Sequence, residues 1–248
     1  MLAHGPPEFV RFTATTGPIM RIAVVQSNYI PWKGYFDLIQ SVDEFVLFDD
    51  VQYTRRDWRN RNQIKTPQGP AWLTIPVQTT GQYLSPIKDI VVTDRGWATK
   101  HWKTIASVYA QAPHFRAFAE RFERLYLDST ETRLSAINHT WLRAACDMLE
   151  IPTKLTWSMD YVAAEGRTER LVSICQQAGA STYLSGPSAR GYIDDAVFRA
   201  SGIELQYFDY AGYPEYPQLH GPFTHQVSVV DLLCHTGADA RRYLRRVP

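Results

Sequence analysis

The stretch from Arg21 to Asp50 constrains the fold more than any other part of the chain. Arg21 to Gln26 reads RIAVVQ, a short Val- and Ile-rich run of the kind buried on both faces of a parallel sheet. A loop, SNYIPWKG, follows with Pro31 and Gly34, and then Tyr35, Leu38 and Ile39 recur at helical spacing. A second apolar run, EFVLFDDVQ, ends in Asp49 and Asp50. Strand, loop, helix and strand in this order make a right-handed crossover between parallel strands. Ligands in open parallel sheets bind beyond the carboxyl ends of the strands, so Gln26–Gly34 and Asp49–Arg61 are expected to face each other across one crevice.

The rest of the chain extends this α/β pattern. Its 248 residues, 45% hydrophobic, suit one large or two small domains and exclude a disordered, collagenous or coiled-coil chain. Segments 71–78 and 87–93 are two further strand candidates in a hairpin or at a sheet edge. Between residues 97 and 150 the apolar spacing changes to three and four, which predicts three helices. LTWS then reads as a strand, and GRTERLVSICQQAGA as a helix capped by Thr168 and ended by Gly179. TYLS is a strand running into a Gly-Pro turn and a helix through GPSARGYID. IELQYFDY is a strand, and HQVSVVDLLCHTG is the closing helix. The expected organisation is a loose extension over 1–19, a first part of the α/β core over 20–94, a helical insertion or subdomain over 95–150, and the second part of the core with the C-terminal helix over 151–248. The fold class is α/β with a Rossmann-like parallel sheet.

Composition narrows the chemistry. Lys and Arg number 26 against 25 Asp and Glu, so no global field attracts a polyanion and nucleic acid is not an expected partner. Seven Trp and fourteen Tyr favour pockets with aromatic, polar-tipped walls. Cys146, Cys175 and Cys234 are too few and too widely spaced for a disulfide framework or a CxxC metal ribbon, so no cysteine metal site is expected and a reducing cytoplasm is, while Asp49 and Asp50 at a strand end suit Mg²⁺, a base or the cap of the next turn. No apolar run approaches the roughly 20 residues of a membrane span. The N-terminus lacks the basic start and apolar core of a secretory signal.

Four segments carry candidate site residues. The first loop sets Gln26, Asn28, Tyr29 and Lys33 before a helix N-terminus, where an anion is favoured. DDVQYTRRDWRNRNQIK offers Asp50, Gln52, Arg55, Trp58, Arg59, Asn60 and Arg61. Guanidinium groups read phosphate or carboxylate there, interleaved aromatic rings stack a base or sugar, and the alternative is a solvated basic face. YLSGPSARGYID carries Ser185, Ser188 and Arg190 as a phosphate cradle or, for Ser188, a plain helix cap. FTHQVSVVDLL places His225, Ser228 and Asp231 on neighbouring helical faces, with His225 a general base or a structural histidine.

These blocks, together with WLTIPV and KHWKTIASVYAQAPHF, resemble the WbqC-like family over roughly residues 20–240. The family occurs in surface-polysaccharide and natural-product gene clusters. The resemblance implies a transferase that forms an amide by acyl or aminoacyl transfer, glycyl for example, to an amino sugar or similar amine. It also implies a sugar nucleotide or amine as substrate, and a carrier protein with its phosphopantetheine, or ATP, as donor system. The chain is similar, more remotely, to HUP-class nucleotidylyltransferases, whose PxHxGH and ISSTxxR elements match PWKGY at 31–35 and LSGPSAR at 184–190. Trp32 and Tyr35 stand where both histidines would be, while Ser185 and Arg190 are kept. Amide formation needs a proton acceptor and donors aimed at the developing oxyanion. Asp50 or His225 fits the first role, Lys33, Gln26 and Asn60 the second, and Arg55, Arg59 and Arg61 would hold a phosphate handle. The rival functions are a nucleotidyltransferase or adenylate-forming ligase, and a non-catalytic sugar-nucleotide-binding protein.

Overall fold

The computed structural model describes residues 19–81 and 84–245; the extension expected at the N-terminus lies, apart from Ile19, outside them. Chain order runs β1 (Arg21–Val25), α1 (Lys33–Gln40), β2 (Glu44–Leu47), β3 (Arg61–Thr66), β4 (Gly69–Thr74), α2 (Gly96–Tyr109), α3 (Phe115–Leu127), α4 (Leu134–Met148), β5 (Lys154–Trp157), α5 (Arg167–Ala178), β6 (Thr182–Ser185), α6 (Asp195–Ala200), β7 (Glu204–Tyr207) and α7 (Val229–Thr236).

Five of these strands form one parallel sheet in the order β5-β2-β1-β6-β7, with Ile22 level with Glu44 and Val25 level with Leu47. The apolar alternation of β1 and β2 divides the core between the two faces. Ile22, Val24 and Val46 pack with Leu171 and Cys175 of α5 and Phe198 of α6. Ala23, Phe45 and Leu47 pack with residues of α1, α4 and α7. Helices α2 to α4 bury Ile105, Phe122 and Trp141 in that second cluster. Strand order reverses between β1 and β6, and a crevice opens at such a switch point in Rossmann-like sheets.

The sequence expectation for the hairpin is corrected. Strand β4 pairs antiparallel with β3, from Arg61 level with Thr74 to Thr66 level with Gly69, and not with residues 87–93. Those residues form a single 3-10 turn at Ile87–Asp89 and isolated bridges such as Val77 with Val92. In RNQIKT only Ile64 is apolar, so the strand reads as a basic loop; its alternation lies in burial, with Asn62 and Ile64 inside. Three helix starts also move. Gly166 precedes α5, and the Thr168 hydroxyl instead accepts the Asp194 N–H at 3.1 Å. Ser188 lies in a 3-10 turn, Pro187–Gly191, and Asp194 caps the helix that follows. Ser228 caps α7 through the Val230 N–H, which leaves His225 in the preceding loop. Gly179 ends α5 with φ +72°, the left-handed conformation that a glycine stop requires.

One polar chain runs through the helical side of the core. The Tyr29 hydroxyl meets His101 Nδ1 at 2.9 Å and the Tyr126 hydroxyl at 2.7 Å, with Trp97 and Trp141 packed edge-on around Tyr29. Burial pushes His101 down to about 4, so the folded protein keeps it neutral where the unfolded chain would protonate it. Stability is therefore complete above about pH 6.5 and falls as pH drops toward 4, by up to about 3 kcal/mol from this group. Denaturant unfolding across this range should give that slope in the native chain and a shallower one in His101→Leu.

Candidate functional site

The two loops that the crossover brings together are fastened by a buried carboxylate. Asp49, wholly buried at the end of β2, accepts the Ser27 N–H at 2.8 Å and the Ser135 hydroxyl of α4. Asn138, one helical turn on, donates to the Ser27 hydroxyl at 3.0 Å and to the Arg59 carbonyl at 2.9 Å. Burial raises the Asp49 carboxyl, while the hydrogen bonds from Ser135 and Ser27 and the nearby Arg59 charge oppose the rise. The loops also bond directly, Tyr29 N–H to the Trp58 carbonyl at 3.0 Å and Asn62 Nδ2 to the Tyr29 carbonyl at 3.1 Å. Between them Ile30, buried and β-branched, is held at φ +35°, a strained conformation that persists only where its surroundings dictate it.

Two cavities open above this framework. The larger, about 840 Å³, lies at the switch point and is lined among others by Gln26, Gln52, Arg59, Arg167, Arg170 and Ser185. The smaller, about 550 Å³, is an aromatic chamber between Trp32, Trp58, Tyr210 and Tyr213, with Asn62 and His225 in its wall. Asn28, Trp32, Trp58 and Tyr210 line both and form the neck between them. At the neck Arg59 donates one guanidinium nitrogen to Asn28 Oδ1 and the other to Gln26 Oε1, with Asp57 at 3.4 Å. Its Nε is buried without a partner. Arg170 lies against the Phe48 ring at 5.0 Å and Arg167 against Tyr192 at 5.3 Å. Neither set of lining residues contains Asp or Glu, so the site presents donors and positive charge, which suits an anion.

The structure gathers Gln26, Asn28, Gln52, Trp58, Arg59, Ser185, Ser188 and His225 at the cavities and sends the other candidates elsewhere. Tyr29 is core, turned away from the crevice. Lys33, only 2% exposed, donates to the Pro214 carbonyl at 2.6 Å inside a cage of Tyr213, Tyr216 and Phe223. Burial lowers it to about 8, partly offset by Asp37 and Glu215. It therefore fixes the chamber wall and does not line it. Asp50 pairs with Arg170 and accepts the Ser158 hydroxyl at 2.6 Å, which makes it an orienter of that arginine. Arg55 donates to the Thr79 carbonyl, and Asn60 ties the hairpin to Ile75. Arg61 stacks on Trp72 at 4.2 Å and Arg190 on Tyr207 at 4.0 Å. Asp231 is buried under Tyr109, Tyr216 and Gln218. The cysteines are buried free thiols, pushed up to about 12 for Cys146 and Cys175, the state of inert core groups.

His225 is the group whose chemistry the structure sharpens. Its Nδ1 is buried without a partner, and burial, reinforced by the Lys33 charge, holds the ring below the usual histidine range. A neutral imidazole therefore faces the chamber. Sequence reading missed Arg167 and Arg170, which look like the polar face of an ordinary helix, and the 210–213 loop, whose aromatic residues carry no motif. Among the described residues no group of three or more His, Cys, Asp or Glu is arranged to hold a metal ion, and no helix is long and apolar enough to cross a membrane.

Sheet order and cavity placement define an α/β protein of Rossmann-like architecture with a cavity at its switch point. The chain belongs to the WbqC-like protein family, which it matches over residues 26–243. It is 50% identical over 225 residues to the uncharacterized protein Rv1507c of Mycobacterium tuberculosis, a match covering 91% of this chain and 97% of the relative. No solved structure matches the chain.

Two substitutions test this architecture. Asp49→Ala strands the Ser27 and Ser135 donors and should cost about 3 kcal/mol in denaturant unfolding, with Asp49→Asn costing less than half as much. A Cβ at Gly34 would collide with the Trp32 indole. Gly34→Ala should thus rotate Trp32 and change its fluorescence while the thermal midpoint moves by only a few degrees.

Proposed function

We propose that this protein is a transferase that forms an amide, moving an acyl or aminoacyl group such as glycyl onto an amine in polysaccharide or natural-product biosynthesis. The observation that carries the reading is the pairing, across one neck, of a donor-rich cavity with a chamber lined by the neutral imidazole of His225. Amide formation needs both. The amine nitrogen attacks the acyl carbon and its proton passes to His225. Arg59, fixed by Gln26 and Asn28, faces the oxyanion that develops. Collapse of the intermediate expels the donor's leaving group, which takes the proton back from His225. Arg167 and Arg170 would hold a phosphate on the donor's handle, and Asp50 orients Arg170.

Nucleotidyl transfer is the second reading, and the HUP-like positions argue against it. Trp32 and Tyr35 both line the larger cavity where the histidines of that class would act, and neither side chain can carry the positive charge that an imidazolium offers a leaving phosphate. Arg190 is turned onto Tyr207 instead of into the cavity.

A mass-spectrometric product screen decides between them. The protein would be incubated with amino sugars, sugar nucleotides and other amines, together with ATP plus amino acids, acyl-CoA, or an aminoacyl carrier protein. A mass gain on the amine is expected, with kcat lowered about 10²- to 10⁴-fold in His225→Gln and less in Asp50→Asn. Pyrophosphate release without an amide would favour the nucleotidyl reading. Binding of a sugar nucleotide with no product from any donor would overturn the enzyme reading in favour of a binding protein.

A further inference from the structure

The aromatic chamber is poorly equipped for a pyranose. A sugar brings several hydroxyl donors, and each needs an acceptor when buried. Asn28 Oδ1 is occupied by Arg59, Asn62 Oδ1 accepts the Gln63 N–H at 2.8 Å, and Asn62 Nδ2 is spent on the Tyr29 carbonyl. No carboxylate is among the lining residues. What remains is the Tyr210 hydroxyl, the amide of exposed Gln226 and the His225 ring, whose unpartnered Nδ1 is itself enclosed.

Its walls, by contrast, are aromatic and braced. Trp58 is backed by Trp72 at 5.3 Å between ring centroids, and Trp72 in turn lies under the Arg61 guanidinium. Trp58 and Trp72 are each 43% exposed, unusual for so large an apolar side chain unless the surface has a use. On the other side, Trp32 rests against Tyr210 at 5.6 Å and Tyr213 at 5.4 Å. The charges behind the walls are balanced: Lys33 sits behind Tyr213, Arg59 at the neck and Arg61 behind Trp72, against Asp37 on the Tyr213 hydroxyl, Asp57 beside Arg59 and Glu215 near Lys33 and His225. A protonated amine finds no carboxylate in the lining to pair with, and an aliphatic amino sugar is largely protonated at neutral pH.

We infer that the chamber binds a flat, conjugated ring bearing a neutral amine, an aryl or heteroaryl amine, in place of the pyranose amine that the family resemblance implies. Such a ring stacks on Trp58 opposite Trp32 and Tyr210, has few hydroxyls to satisfy, and directs its amine to His225 without first losing a proton to solvent. The inference rests on the transferase reading only for naming this ligand the acceptor; the binding itself requires no turnover.

Isothermal titration of the full chain tests it with four probes: 4-aminobenzamide as a simple aryl amine, cytidine as a nucleobase amine, glucosamine, and methyl β-glucopyranoside as an uncharged sugar. At least one flat amine should bind with a Kd about tenfold or more below both sugars. Whichever binds more tightly separates a nucleobase from a simple aryl source. Trp58→Ala should weaken it by a further factor of about ten, Trp58→Phe should restore most of it, and Trp72→Ala should cost several-fold, with circular dichroism confirming each variant's fold. Equal or tighter binding of either sugar, no binding of both flat amines, or indifference to Trp58→Ala would each overturn the inference. Flat-amine binding with no amide from any donor would sink the transferase reading and leave this one standing.

Discussion

Asp49 is the interaction on which the site depends. A carboxylate buried at a strand end, with no cation in direct contact, persists only because several donors are brought to it. Those donors come from the first loop and from α4, elements separated by more than a hundred residues of chain. Fixing them to one carboxyl group sets the loops after β1 and β2 at a single distance, and Asn138 carries the same constraint on to Arg59. The crevice is therefore preorganised: its guanidinium is already held between two amides without any ligand. Burial works against this carboxylate and the hydrogen bonds work for it, so the balance is one of geometry more than of charge.

The far wall depends on α1 in a different way. Lys33 and Asp37, one helical turn apart, grip the same loop, the lysine through the Pro214 carbonyl and the aspartate through the Tyr213 hydroxyl at 2.7 Å. A lysine with no carboxylate in contact is a costly group to bury. Three aromatic faces within 5.7 Å of its nitrogen offset part of that cost. Its charge also reaches His225 and adds to the lowering that burial causes, so one residue both holds the wall and tunes the imidazole.

How far the sequence could be read follows from where its signals are local. The β1–α1–β2 unit was legible because strand periodicity, a Pro and Gly loop and helical spacing all lie within one short window, and the meeting of the first two loops followed from handedness alone. The β3–β4 hairpin was not, because six basic or amide residues in RNRNQIK masked an alternation visible only once Asn62 and Ile64 are seen inside. Residue type also misled where burial decides the role: Tyr29 and Lys33 are as polar-tipped as any ligand contact, yet packing takes one into the core and the other into a cage. Arg167 and Arg170 were invisible for the opposite reason, since a helix with an apolar face needs charged residues somewhere, and only the sheet order says that this end of α5 meets the crevice.

The shared neck has a consequence for more than shape. Asn28, Trp32, Trp58 and Tyr210 belong to both cavities, so under the proposed function the two occupancies would form one linked equilibrium. A ligand that shifts an indole on one side alters the space met by a ligand on the other, and linkage makes the two effects equal in size. The strength of that coupling, whichever molecule loads first, would lie in the rotamers of Trp32 and Trp58, ahead of any bond that is made or broken.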